Sequence, residues 1–190
     1  PLGSLSYVDA DALTIGTVNP TGLWSAGDVA VSTVSGDLTL AESIQTTAGT
    51  ASAIVLNAGS GEDISSAAPA VGTDTAGNLL VSNGATVVTG SGGRVTLYTG
   101  SLADSTGVAE SHPSADDGGH WLVDDGSGRF RYGSDETTTR YSATLGTGVF
   151  AIYREQPQLT VKPDSETITY GEYPGLTTGV SDTANLANGD

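Results

Sequence analysis

The chain has no cysteine and no methionine among its 190 residues. Without cysteine there is no disulfide staple, no thiolate nucleophile and no cysteine-based zinc site. Positive charge is scarce: no Lys or Arg precedes Arg94, and six basic residues face 22 acidic ones, for a net charge of −16. Such a surface repels phosphate backbones and anionic lipid, which argues against nucleic acid and membrane surfaces as partners. No apolar run approaches the roughly 18 residues that span a bilayer as a helix, so no membrane insertion is expected of this stretch. Aromatics make up 6% and hydrophobic residues 37%. Such a chain fills a thin core, in which each strand contributes one or two inward side chains and neighbours stack.

Residues 1–4, Pro1-Leu2-Gly3-Ser4, read as the scar of a tag-cleavage protease and stand outside the fold. With no methionine to start it, the chain reads as an internal piece of a longer protein.

What the sequence has is glycine, 27 residues of it, together with Ser, Thr and Ala. Helical periodicity is nearly absent; the best candidate, near Thr183–Ala187, is short and polar. Strand signals recur instead, centred on Val29/Val31, Leu38/Leu40, Ile54/Leu56, Leu79/Val81, Val87 and Val95/Leu97. A strand thus arrives every eight or nine residues, or every second such interval. Gly27-Asp28, Gly36-Asp37 and Gly77-Asn78 precede several of them. Two architectures keep that beat: a parallel β-helix with coils of about 20 residues and an antiparallel sandwich. Small inward residues and tight bends at Gly, Asn and Asp favour the β-helix over 5–100.

From Ser101 the sequence becomes polar and loop-like, and then changes character. His120–Val123, Arg129–Tyr132, Thr139–Ser142 and Val149–Tyr153 are aromatic and basic, and Asp124–Gly128 reads as a hairpin loop between the first two. The expectation for 101–157 is an aromatic-rich antiparallel sheet that caps or follows the helix.

In the last quarter, Gly148–Pro157 runs into Leu159-Thr160-Val161-Lys162-Pro163 and then Thr169-Tyr170-Gly171-Glu172-Tyr173-Pro174-Gly175-Leu176. A strand ends at a proline, a second follows, and a Tyr-Gly turn comes with Pro and Gly behind it. This junction resembles the one in very large bacterial exoproteins of the filamentous haemagglutinin, two-partner-secretion type. There a Gly-rich β-region is followed by MBG, or YDG-like, repeats with a T-Y-G-x-x-P-x-L signature. Arg131-Tyr132, Tyr141 and Ile152-Tyr153 are similar to the aromatic stretch before the first repeat in that family. The resemblance implies a right-handed β-helical shaft, an outer-membrane transporter as partner of the parent protein, and placement at the bacterial cell surface or outside the cell. It also implies that 158–190 is the start of a β-sandwich-like module roughly twice as long. So short a unit needs a partner edge, and the expectation is that Leu159–Val161 pairs with the 120–157 sheet or with another molecule.

Three constellations carry possible chemistry. His112 and His120, the only histidines, lack metal-ligand spacing, and no G-x-S-x-G elbow occurs; both read as turn residues. Asp116-Asp117 and Asp124-Asp125 suggest Ca2+, because hard cations want clustered carboxylates. The alternating EF-hand ladder is missing, however, and turn-forming Asp explains both pairs. No other cofactor is expected. Trp121, Tyr132 and Tyr141 are candidates for stacking on glycan, with core filling as the competing role. The function that follows is structural and adhesive: extension of a surface exoprotein, with extracellular glycan or host matrix as partner and no catalysis. The runner-up is a polysaccharide-degrading β-helix enzyme built on Asp and Glu, and a third reading is a dedicated glycan-binding module.

Overall fold

A computed structural model describes residues 3–17, 21–70, 76–82, 84–109, 121–123, 128–157, 161–163, 170 and 178–180. The expected polar helix at 183–187 lies outside these residues, as does most of the repeat module. The described elements are fourteen strands and no helix. They are β1 (Leu5–Asp9), β2 (Leu13–Ile15), β3 (Leu23–Ser25), β4 (Val29–Thr33), β5 (Leu38–Leu40), β6 (Ile44–Thr46), β7 (Ile54–Asn57), β8 (Leu79–Val81), β9 (Val87–Val88), β10 (Arg94–Thr99), β11 (Phe130–Tyr132), β12 (Gly148–Tyr153), β13 (Val161–Pro163) and β14 (Thr178–Val180).

The chain visits three sheets in rotation. The first sheet has the order β1-β4-β7-β10-β12-β11, the second β2-β5-β8 and the third β3-β6-β9, and every pairing within them is parallel. The result is all-β, mostly parallel and β-helix-like. Coils are longer than the expected 20 or so residues. Leu5 pairs with Val29 and Val29 with Ile54, offsets of 24 and 25 residues. Ile54 pairs with Val95, an offset of 41, because the connection after β7 carries a long excursion.

The registers place like on like. Val29, Ile54 and Val95 form one inward row, and Val31, Leu56 and Leu97 the next. Leu38 stacks on Leu79 and Leu40 on Val81 in the second sheet. All ten side chains are buried, none more than 6% exposed. Alternation along each strand sends the intervening residues outward, and β4, β5 and β8 show it directly in their burial.

The abundant Ser and Thr work at the corners. Thr33 Oγ1 donates to the Gly36 carbonyl and accepts from the Gly59 amide at 2.9 Å each, tying one coil to the next. Thr46 Oγ1 donates to the Gly27 carbonyl at 2.6 Å and accepts from the Ala48 amide. Thr99 Oγ1 accepts from the Leu79 amide. Buried bends thus find partners for backbone groups that no ladder satisfies. Residue size explains why small hydroxylated side chains occupy these positions.

The aromatic segment departs from expectation. It is not an antiparallel sheet: β12 pairs parallel with β10, and β11 parallel with β12, so both extend the first sheet. Residues 121–123 and 139–142 form no strand, and 124–127 lie outside the described residues. β11 precedes β12 in sequence yet lies beyond it in the sheet. The reason is burial. In β12, Phe150, Ala151, Ile152 and Tyr153 are at most 5% exposed, so this strand suits an interior position. The shorter β11, with Arg131 half-buried, takes the edge.

After β10 the chain adds to the second sheet beyond β8. The Val81 amide donates to the Thr106 carbonyl, Leu122 to Gly107 and Val123 to Val108. Leu102, Val108, Ala109, Leu122 and Val123 are buried and join the core cluster. In the tail, β13 pairs antiparallel with β14. Leu159 and Thr160, on which the expected pairing of 159–161 rests, lie outside the described residues.

Candidate functional site

Two groups of residues stand out from the bare stack of coils: the outer face of the first sheet near its β11 edge, and a buried arginine at one corner.

On the outer face, residues that alternation points outward are nonetheless buried. Thr96 is 3% and Phe150 5% exposed, and Ile152 is fully buried. The connection from Gly133 to Thr147 covers them. Its first turn is closed by Asp135, whose Oδ1 accepts from the Thr137 amide and hydroxyl and from the Thr138 amide. The Arg140 amide then donates to Ser134 Oγ. Arginines hold the cover down. Arg94 Nη1 donates to the Leu145 carbonyl at 3.2 Å, Arg129 Nη1 to the Thr147 carbonyl, and Arg140 Nη2 to the Ile64 carbonyl at 2.9 Å. The Arg129 guanidinium lies 4.8 Å over the Phe150 ring, and that of Arg131 lies 5.4 Å over Tyr141 and 5.9 Å over Phe150. The basic cluster that composition picks out at 129–154 is therefore committed to internal bracing. Cation–π contact and carbonyl acceptors take the place of an external anion.

The sequence-derived glycan candidates do not converge. Tyr132 points inward and stacks on Tyr153, with ring centroids 5.7 Å apart and planes at 17°. Tyr141 lies on the opposite face against Arg131. Trp121 is half-buried beside Leu122 and Val123. Asp116, Asp117, Asp124 and Asp125, and both histidines, lie outside the described residues. Among the described residues no cluster of three His, Asp or Glu side chains is placed to hold a metal ion.

Beside the cover, the outer face remains open. A shallow groove of about 240 Å³ runs over Ser6, Ala30, Ser32, Val55 and Asn57, with Glu136 of the cover contributing to its lining. Asn57 sits next to Tyr98 across the β7–β10 pair. The Tyr98 hydroxyl is pushed above the usual phenol range by burial first, then by the neighbouring Tyr141 and Glu136, with Arg94 acting in the opposite sense. Tyr98 stays neutral and keeps its hydroxyl proton at physiological pH. A floor of small residues with Glu136 in its wall disfavours anionic ligands.

The buried arginine is Arg154, which follows β12 and is wholly inaccessible. Its Nη1 donates to the Ala58 carbonyl at 2.7 Å, and Nη2 to the carbonyls of Ala76 (3.0 Å) and Gly77 (2.7 Å). It fits because three corners are glycine. A Cβ at Gly59 or Gly77 would lie 3.0 or 2.8 Å from Nη2, and one at Gly100 would lie 3.2 Å away. Gly59 and Gly77 also take positive φ of 73° and 63°. Next to it, Glu155 is 2% exposed and its Oε2 accepts from the Leu102 amide at 3.3 Å. Arg154 thus fastens β12 to the corners after β7 and before β8. In the sequence it was only one basic residue among several, and the paired corner glycines are the one signal that marks its seat.

The class that these features define is an all-β, β-helix-like stack with a braced cover on one face. Comparison with protein-family models, with curated proteins and with solved structures gives no match. The likeness to haemagglutinin-type exoproteins therefore stands on the quoted residues alone. No helix among the described residues is long and apolar enough to cross a membrane.

Proposed function

We propose that this chain is a structural and adhesive segment of a large secreted or cell-surface bacterial exoprotein. In this reading its coils form a right-handed β-helical shaft, 158–190 opens an MBG-like module, and the parent leaves the cell through an outer-membrane transporter. The observation that carries the proposal is the rotation through three parallel sheets in register, one strand per sheet per coil for the first three coils. A stack of that kind lengthens by repetition, and each coil needs only its neighbours. Extension at low hydrophobic content is the property that a surface filament uses.

The adhesive half of the reading rests on the groove over Ser32, Val55 and Asn57. Its ligand is an extracellular glycan, held by hydroxyl contacts to Glu136 and by shape. A dedicated glycan-binding module is the second reading, supported by the same groove. Glycan-array binding alongside a reducing-sugar release assay tests both against a polysaccharide-degrading enzyme. The expected result is binding that weakens in Ser32→Trp, which fills the groove, without release of sugar ends. Sugar release by the purified chain would replace the proposal with the enzymatic reading, and absence of any binding would leave the shaft role alone.

A further inference from the structure

The groove beside the cover has a chemical bias that its shape alone does not show. Its floor lies on β4 and β7, interior strands of the first sheet, and no Lys or Arg lines it. Asn57, in that floor, is 6% exposed, and its Oδ1 is buried without a hydrogen-bond donor. Glu136 stands exposed at the wall. One residue earlier, Asp135 is 3% exposed. The turn of the cover occupies its Oδ1, whereas Oδ2 is buried with no donor.

No fixed positive group in the lining offsets these oxygens. Tyr7 lines the groove, but its hydroxyl donates to Asp9 Oδ2 at 2.9 Å. Tyr98, the register neighbour of Asn57, feels both Glu136 and Asp135. Arg94 acts on Tyr98 in the opposite sense, yet it is not part of the lining and directs Nη1 to the Leu145 carbonyl. The hydroxyls of Ser6 and Ser32 serve as donor or acceptor as a ligand requires.

We infer that the groove recognises an ammonium group and, on the reading that its ligand is a glycan, that the glycan is an amino sugar with an unacylated amine. An ammonium carries a positive charge, three N–H donors and no acceptor. It supplies what Asn57 Oδ1 and the Glu136 carboxylate lack. The terminal torsion of an asparagine is soft, so the Asn57 amide turns its oxygen to an arriving donor. A neutral hexose offers hydroxyls without charge, and a uronic acid sets a second carboxylate against Glu136. Size agrees as well. A volume of about 240 Å³ lies below the roughly 300–1,000 Å³ of pockets for drug-sized ligands, which leaves room for a single ring. Ala30 and Val55 give that ring an apolar floor.

NMR-monitored titration of the full chain tests this, at a pH where the amine is charged. The probes are a short glucosamine oligomer, its fully N-acetylated form, a glucose oligomer of the same linkage, and the simple diamine putrescine. The glucosamine oligomer should bind most tightly of the sugars, and added salt should weaken it by screening. Glu136→Gln should weaken it about three- to fivefold and change the neutral oligomers less. Asn57→Leu removes the donorless oxygen at similar volume, and should weaken binding without lowering the melting temperature. Glucosamine bound no more tightly than glucose, or indifferent to Glu136→Gln, would overturn the inference and leave the glycan reading in place. Putrescine bound in a Glu136-dependent way, with every oligomer silent, would support ammonium recognition and overturn the glycan reading instead. Silence with all the probes would overturn both.

Discussion

Leu97→Asp should be among the most damaging single changes in this chain, while Ser91→Asp, six residues away, should be nearly silent. Leu97 is fully buried and stacked in register between Leu56 and Ala151. A carboxylate there meets apolar neighbours on both sides of its row. Burying a polar group without a partner, together with the lost leucine packing, costs on the order of 4 kcal/mol or more. For a domain of this size that lowers the melting temperature by about 8–15 °C. Ser91 is exposed in the Gly90–Gly93 bend, where a charge remains solvated and the change should stay within about 0.5 kcal/mol. Thermal melts of the two variants side by side check the claim. Equal midpoints would mean that the inward row is misassigned.

Arg154→Met should rival it. Methionine keeps much of the stem and its volume but removes the donors to the Ala58, Ala76 and Gly77 carbonyls. The Gly77 carbonyl keeps the Gly100 amide as a donor, but loss of a charged donor to a buried carbonyl still costs about 1–3 kcal/mol. Part of that is recovered by relaxation, and loss of one member of a buried charged group is typically about 3–5 kcal/mol. Arg154→Lys should restore only part of the loss, because one ammonium cannot reproduce a planar fork that reaches two corners at once. Denaturant unfolding of the three proteins gives the order wild type, then Lys, then Met. A methionine variant as stable as the wild type would show that the glycine corners hold without their arginine.

The inward rows were legible because they obey a local rule. Val29/Val31, Leu38/Leu40, Ile54/Leu56 and Val95/Leu97 place large apolar residues at every second position, and Gly27, Gly36 and Gly93 mark bends shortly before three of them. β1, β2, β3 and β6 were missed. Ile44-Gln45-Thr46 offers a single large apolar residue, and the buried Thr46 earns its place through hydrogen bonds that no hydrophobicity pattern reports. The order β10-β12-β11 was not legible either. A strand's rank in a sheet depends on burial on both faces, and an apolar run such as Val149–Tyr153 reads the same for parallel and antiparallel neighbours. The role of the arginines was not legible, because Arg94, Arg129 and Arg140 spend their donors on carbonyls far away in sequence or across a loop. Of the aromatic candidates, Tyr132 and Tyr141 fall on opposite faces because Arg131 separates inward from outward along β11.

Parallel stacking of the coils is open to a direct test, because the chain has no cysteine of its own. Ala30 and Val55 are register partners on adjacent coils, 25 residues apart, with side chains on the outer face. Adjacent strands bring such positions within the Cα separation of about 4.4–6.8 Å that a disulfide accepts. The competing antiparallel sandwich would instead fold β4 back on β5 about the Ser35–Gly36 bend and set Ser32 opposite Thr39. Mild oxidation of Ala30→Cys/Val55→Cys and of Ser32→Cys/Thr39→Cys, followed by non-reducing mass analysis, separates the two. Parallel coils predict rapid intramolecular closure in the first pair and none in the second. Closure of the second pair with the first remaining reduced would contradict the coil stack outright.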